Sequence, residues 1–356
     1  MSSVEIMKLI QGNVLSLKPY HVESTDCEIK LHANENPFPP SKELLELFSS
    51  SLQKLQLNRY PDPDSRALKD SIAHRLDIET KHLVIGNGSD EIILFLLQVF
   101  CQKGDTITFP DPTFSMYSII AQGLGIKSVS ISLDNHWDFS ADVILQSAEE
   151  NNSKIIFLSY PNNPTGNCFS DTQVQKVIDN FQGIVVIDEA YHDFSRKSFV
   201  NQIKEHNNLI VLRSLSKIGL AALRVGFGVA DPLVISEINK VRLPYNSNTI
   251  SQAFAENLIT NFEAVQTQIN SILDERHRLL DELHKIESVT AFPSDSNFIL
   301  FKTKQPAGSI FAFLSKNGIL VRNLSSHPKL SNCLRVTVGT KSENDRFLSK
   351  LKDFKN

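Results

Sequence analysis

The sequence predicts an α/β protein. A large domain carries a mostly parallel sheet covered by helices on both faces, and a smaller α+β domain follows it. Three observations predict this. The chain has 356 residues, 41% of them hydrophobic, enough to bury a large core. Short apolar runs recur with helical segments such as "DTQVQKVIDNF" between several of them. Unbroken apolar strands separated by helices are the mark of parallel pairing with both faces buried. After about residue 249 the texture changes to a long helical stretch and then to shorter strands.

In chain order, residues 1–40 mix polar residues with the proline cluster "NENPFPP" and read as an irregular N-terminal arm. Residues 41–245 form the large domain. Its strand candidates are "HLVIG", "DTITFP", "KSVSISL", "KIIFLSY", "GIVVIDE", "NLIVLRS" and "VGFGVA". A helix opens at Ser89, behind the first of them. Residues 246–356 form the small domain, with "SQAFAENLITNFEAVQTQINSILDERHRLLDELHKI" as helix and "NFILFK", "ILVR" and "CLRVTVG" as strands.

Composition narrows the function classes. A formal net charge of −4 argues against a nucleic-acid footprint or a basic membrane patch. Cys27, Cys101, Cys168 and Cys333 lack paired spacing and read as reduced thiols, with no zinc or disulfide framework. "MSSVEIMKLI" has no apolar core beside a cleavage signal, and "IILFLLQVF" is too short to span a bilayer. A soluble cytoplasmic protein without a metal site is the expectation.

Three strands end in unusual chemistry. "KIIFLS" runs into "YPNNPTG", "GIVVI" into "DEAYHDF", and "NLIVLR" into "SLSK". Ligands of parallel sheets sit beyond the carboxyl ends of the strands. If these strands are neighbours, Asn163, Asp188, Tyr191 and Lys217 converge on one crevice. An amine, a buried carboxylate, a phenol and an amide suit pyridoxal phosphate. The lysine can form a Schiff base with the aldehyde, and the carboxylate can pair with the protonated pyridine nitrogen. Tyr191 and Asn163 can hydrogen-bond the ring 3-oxygen. Burial and neighbouring positive charge would lower the lysine's pKa. Taken singly, each piece has a plainer reading: a solvated lysine, a strand end capping the next helix, a good turn sequence. The three in this order, each directly after an apolar run, are not explained that way.

A phosphate needs anchors. Ser214 and Ser216 offer hydroxyls, Arg224 a guanidinium fork, and "GNGSDE" a glycine turn whose helix exposes free N–H groups. Ser89, Asp90 and Glu91 are also ordinary helix-start residues, and acids in a first turn repel phosphate unless they point away. The same stretch nearly matches a dinucleotide fingerprint. Gly86 and Gly88 fit, but Glu91 stands at the third glycine, and Asp105 precedes its apolar run instead of ending it. A nicotinamide enzyme is therefore the lesser reading. A module that binds the cofactor without turnover is a third.

Taken together, these residues resemble the fold-type I, aspartate aminotransferase-like family over nearly the whole chain. "LKPY" at 17–20, "LHANENP" at 31–37, "NRYPD" at 58–62, "GNGSDE", "PTFSMY" at 112–117, "YPNNPTG", "DEAYHDF", "SLSK" and "CLRVTVGT" at 333–340 carry the resemblance. "NRYPD" and "LRVTVGT" are similar to the histidinol-phosphate branch of that family and its near relatives. The resemblance implies that Lys217 is the Schiff-base lysine and proton carrier, and that Asp188 faces the pyridine nitrogen. It places Tyr191 and Asn163 on the 3-oxygen and Phe114 over the ring. Gly88, Ser89, Asp90, Ser214, Ser216 and Arg224 would hold the phosphate, joined by Tyr60 from the neighbouring subunit of a homodimer. Arg322 and Arg335 would bind the anionic ends of histidinol phosphate, glutamate and 2-oxoglutarate, with Tyr20 closing the pocket. Same-fold alternatives are an aromatic amino acid aminotransferase and a threonine-phosphate decarboxylase. Six tyrosines against 22 phenylalanines support polar roles, because Tyr20, Tyr60 and Tyr191 keep their hydroxyls in a chain that favours Phe. Arg224 follows Lys217 by seven residues, one fewer than in many relatives, and His32 replaces their Asn or Ser.

Overall fold

The structure is a computed structural model that describes residues 3–19 and 26–354. Its described residues form two sheets from twelve strands. In chain order these are β1 Ile29–Leu31, β2 Leu83–Asn87, β3 Thr106–Asp111, β4 Lys127–Ser132, β5 Ser153–Ser159 and β6 Ile184–Asp188. There follow β7 Leu209–Ser214, β8 Val225–Val229, β9 Val289–Ala291, β10 Phe298–Thr303, β11 Ile319–Asn323 and β12 Cys333–Thr337.

The seven apolar runs pair into one sheet in the order β2-β8-β7-β6-β5-β3-β4. The pairs among β3 to β7 and β4 are parallel, and β8 runs antiparallel to both of its neighbours. The reason for the unbroken runs is visible in β5. Ile155 and Phe157 enter one apolar cluster, while Ile156 and Leu158 enter the other. Alternate side chains point to opposite faces, so a strand buried on both needs apolar residues throughout. The pairs Ser159–Asp188 and Asp188–Leu212 bring the carboxyl ends of β5, β6 and β7 side by side.

The second sheet has the order β1-β11-β12-β10-β9. Its first strand comes from the segment that sequence reads as irregular. Ile29 and Leu31 are buried with Lys30 exposed between them, and β1 pairs parallel with β11. Three residues are too few for a period to show, so the strand is fixed by its partner. Two helices, Ser3–Leu9 and Gly12–Leu15, also lie in that segment. The long helical stretch divides into Thr249–Thr260 and Glu263–His284, the latter burying Val265, Ile269, Ile272, Leu279 and Leu283 on one stripe. Among the described residues, no helix is long and apolar enough to cross a membrane.

Candidate active site

Between the ends of β5, β6 and β7 and the facing strands β11 and β12 lies a cavity of about 460 Å³. Ser89, Asp90, Phe114, Asn163, Asp188, Tyr191, Ser214, Ser216, Lys217 and Arg224 line it from the large sheet, Arg322 and Arg335 from the small one. Twelve residues chosen from sequence therefore meet in one place. Gly88 adjoins them as the residue before helix Ser89–Phe100. Tyr60 stands apart, 80% exposed, with its ring stacked on Tyr245 at 4.5 Å. Tyr20 lies outside the described residues.

Lys217 sits in the 3-10 turn Leu215–Ile218 that follows β7, and its Nζ donates to the Ala33 carbonyl at 3.4 Å. Burial, with the Arg335 charge nearby, brings its pKa down to about 8. Asp188 ends β6 and is 3% exposed. Its carboxylate accepts from the Tyr117 hydroxyl at 2.7 Å and the Ala190 N–H at 3.2 Å. Burial nevertheless pushes its pKa up to about 6. A buried carboxylate held only by neutral donors still lacks a cation, and a pyridinium N–H is one.

The Tyr191 phenol accepts from Asn34 Nδ2 at 2.8 Å and Asn163 Nδ2 at 3.3 Å. Burial raises its pKa. Asn163 Oδ1 in turn accepts from Arg335 Nη1 at 2.5 Å, and Arg335 Nη2 donates to the His32 carbonyl at 2.7 Å. This chain of bonds links a small-sheet strand to the ends of large-sheet strands. Arg322 is the register partner of Arg335, so two guanidinium-bearing residues stand side by side on β11 and β12. His32 also lines the cavity, its pKa lowered by burial, with the charges of Arg322 and Arg335 adding to the effect.

At the other end, Gly88 has φ +82°, and a Cβ there would lie 2.7 Å from Arg224 Nη2. The left-handed φ is what favours glycine, since the Arg224 tip is the end of a flexible side chain that could shift. The shorter spacing from Lys217 to Arg224 is accommodated by the turn Ala221–Leu223 and a left-handed Arg224, φ 53°. Its guanidinium reaches Ser216 Oγ at 3.3 Å and Asp90 Oδ2 at 3.2 Å. The acids of the helix start are also accounted for. Glu91 turns away, accepting from the Asn87 N–H and Asn246 Nδ2, both at 2.7 Å, and Asp90 is paired with Arg224.

Sequence reasoning assigned no role to Tyr117, Asn34 or Gly226. The first two lie inside quoted motifs, "PTFSMY" and "LHANENP", so the signal was present without its meaning. Gly226 in β8 has no local signal, yet a Cβ there would lie 2.4 Å from the Ser89 nitrogen.

The family model for aminotransferase class I and II matches residues 27–351. The chain belongs to the class I and II aminotransferases. Among curated relatives, the chain is 38% identical over 355 residues to histidinol-phosphate aminotransferase 2 of Nitrosococcus oceani, covering 99% of each. It is 39% identical over 346 residues to histidinol-phosphate aminotransferase of Aquifex aeolicus, covering 97% of this chain and 98% of that one. The histidinol-phosphate aminotransferase of Sinorhizobium meliloti, solved with pyridoxal-5'-phosphate, superposes with a TM-score of 0.88 at 20% identity, over 97% of each chain. That likeness shows that the aminotransferase fold is shared.

Proposed function

We propose that this aminotransferase uses pyridoxal phosphate to interconvert histidinol phosphate and 2-oxoglutarate with imidazole-acetol phosphate and glutamate, in histidine biosynthesis. One observation carries the chemistry: adjacent ends of β5, β6 and β7 bring Asn163, Asp188, Tyr191 and Lys217 onto one cavity, faced by Arg322 and Arg335. The full-length similarity to histidinol-phosphate aminotransferases supports the substrate.

The residues present fit the cofactor. Among the described residues the buried Asp188 carboxylate is held by the neutral Tyr117 hydroxyl and Ala190 N–H, with no salt bridge, and the Gly88 turn, Ser216 and Arg224 form a cradle at the start of a helix. When bound, pyridoxal phosphate supplies an aldehyde for the amino group and a ring that takes up the electron pair left by Cα–H cleavage. Lys217 would hold the cofactor at its aldehyde end and would carry a proton at its Nζ. A pKa of about 8 leaves a useful fraction of that amine neutral near physiological pH. Asp188 keeps the proton on the ring nitrogen, and Tyr117 and Ala190 orient its two oxygens. Tyr191 and Asn163 hold the ring 3-oxygen, with Asn34 fixing the phenol. Phe114 covers a ring face. The backbone N–H groups of Gly88, Ser89 and Asp90, with Ser214, Ser216 and Arg224, would hold the phosphate, the Asp90 carboxylate being paired with Arg224. Arg335 and Arg322 would take the anionic ends of the substrates.

The reading extends to a homodimer with shared sites, in which Tyr60 reaches the phosphate of the second copy. Tyr60, Leu57, Leu243 and Tyr245 form exposed apolar surface, and Arg242 Nη1 ties their two segments together through the Pro63 carbonyl at 2.8 Å. We divide the chain into an arm, 1–40, a large cofactor-binding domain, 41–245, and a small domain, 246–356, in the cytoplasm.

The test is a panel of amino donors with 2-oxoglutarate, read as glutamate formed. Histidinol phosphate should give the highest kcat/KM. Preference for phenylalanine or tyrosine, or release of carbon dioxide from threonine phosphate, would overturn the substrate assignment.

A further inference from the structure

The segment from Asn323 to Leu330 leaves β11 and forms one wall of the cavity. Asn323, Leu324, Ser326, His327 and Leu330 all line it. On its own side the segment is anchored by Leu330, 1% exposed, in an apolar cluster with Leu300 and Cys333. On the other side it is tied to the large sheet at two points. His327 Nε2 lies 3.2 Å and 3.1 Å from the two carboxylate oxygens of Asp111. Lys329 Nζ donates to the Leu133 carbonyl at 2.6 Å. Those acceptors belong to one unit, because Asp111 ends β3, Leu133 follows β4, and the Leu133 N–H donates to the Asp111 carbonyl at 2.9 Å.

The histidine is held in one tautomer. Nδ1 accepts the Lys329 N–H at 3.2 Å, so the ring proton sits on Nε2 and is donated to Asp111. The His327 and Asp111 side chains are only 30% and 34% exposed, which confines both. Three residues after Asp111 comes Phe114, and the Thr113 hydroxyl donates to Asn162 Oδ1 at 2.6 Å, beside Asn163. The same contact therefore joins the wall that begins at Arg322 to the segment that carries Phe114.

Resting on the proposed function, we infer that His327 and Asp111, with Lys329, form a clasp between the two sheets that positions the Arg322–Asn323 wall for the substrate's anionic end. His327 is a positioning residue here. It acts through Asp111 and the wall, and takes no part in proton transfer. Releasing the clasp leaves the segment held only from its own sheet, by Leu330 and Leu324 and the Leu324 N–H bond to the Cys333 carbonyl, so the wall loosens while the groups around Lys217 keep their places.

The test uses the full chain with pyridoxal phosphate bound. In His327→Ala, hydrogen exchange at the amides of 324–330 should speed up about tenfold. The His327 and Leu330 N–H groups donate within the segment and the Leu324 N–H donates to the Cys333 carbonyl of β12, so all three report its opening. KM for histidinol phosphate should rise about three- to tenfold, with kcat and cofactor affinity near wild type, the scale of one partly exposed charged contact. Asp111→Ala should match it, and the double variant should be no worse than either single one. His327→Gln, whose amide N–H can reach the same carboxylate, should restore both readouts. Unchanged exchange, additive KM losses, or a loss in kcat or cofactor binding overturns the clasp. Faster exchange in the variants of a wild type that does not turn over histidinol phosphate sustains the clasp and overturns the substrate assignment.

Discussion

Asp188 shows how one residue can work against the fold that holds it. An unfolded aspartate titrates near 4, whereas burial pushes this one up to about 6. The folded chain without cofactor thus binds that proton more tightly than the unfolded chain. Its contribution to stability falls as pH rises from about 4 to 6, and above that the cost is about 3 kcal/mol. Asp188→Asn should therefore raise the thermal midpoint of the cofactor-free protein at pH 7.5 and leave it nearly unchanged at pH 4. The same change should slow turnover by several powers of ten, because an amide cannot hold the ring nitrogen protonated. Scanning calorimetry at the two pH values and steady-state kinetics check both halves. Equal midpoints at pH 7.5 would contradict the burial cost, and near-normal turnover would remove Asp188 from its role. Asp188 was legible because "DEAY" stands in order with "NNPTG" and "SLSK", each directly after an apolar run, although alone it could cap the next helix. Tyr117 was not, since its bond to Asp188 crosses 71 residues and depends on the fold.

At the scale of elements, β8 presses against the Gly88–Ser89 turn that we propose receives the phosphate. A Cβ at Gly226 would meet the Ser89 nitrogen at 2.4 Å and the Gly88 carbonyl carbon at 2.6 Å, both backbone atoms that cannot swing aside. Gly226→Ala should push the start of helix Ser89–Phe100 away from Ser216 and Arg224. We expect a loss of about 1–3 kcal/mol in stability and a weaker hold on the cofactor phosphate. Chemical denaturation and cofactor titration measure these. An unchanged cofactor affinity would mean that β8 does not set the turn. The strands themselves were legible, because burial on both faces makes β5, β6 and β7 continuous apolar runs. Their neighbours were less so. The insertion of antiparallel β8 between β2 and β7 is a matter of long-range pairing that no local pattern records. β1 and β9, three residues each, carry no readable period.

For the whole molecule, the shared site is the open proposal, because Tyr60 stands outside its own cavity. Tyr60→Phe should loosen cofactor binding about ten- to a hundredfold, the worth of a hydrogen bond to a charged group. Lys217→Ala should be inactive at any cofactor level. Random co-assembly of the two variants should restore about a quarter of wild-type activity at limiting cofactor, since a mixed two-fold dimer keeps one intact site. A mixed dimer as inactive as its parents would place Tyr60 on no phosphate but its own. All of this rests on Lys217 being the amine that binds the cofactor, and that can be asked directly. The protein loaded with pyridoxal phosphate is reduced with borohydride, digested, and its peptides mapped by mass. The account predicts loss of the visible cofactor band and a single pyridoxyl adduct, on Lys217. An adduct on another lysine, or none, would contradict it.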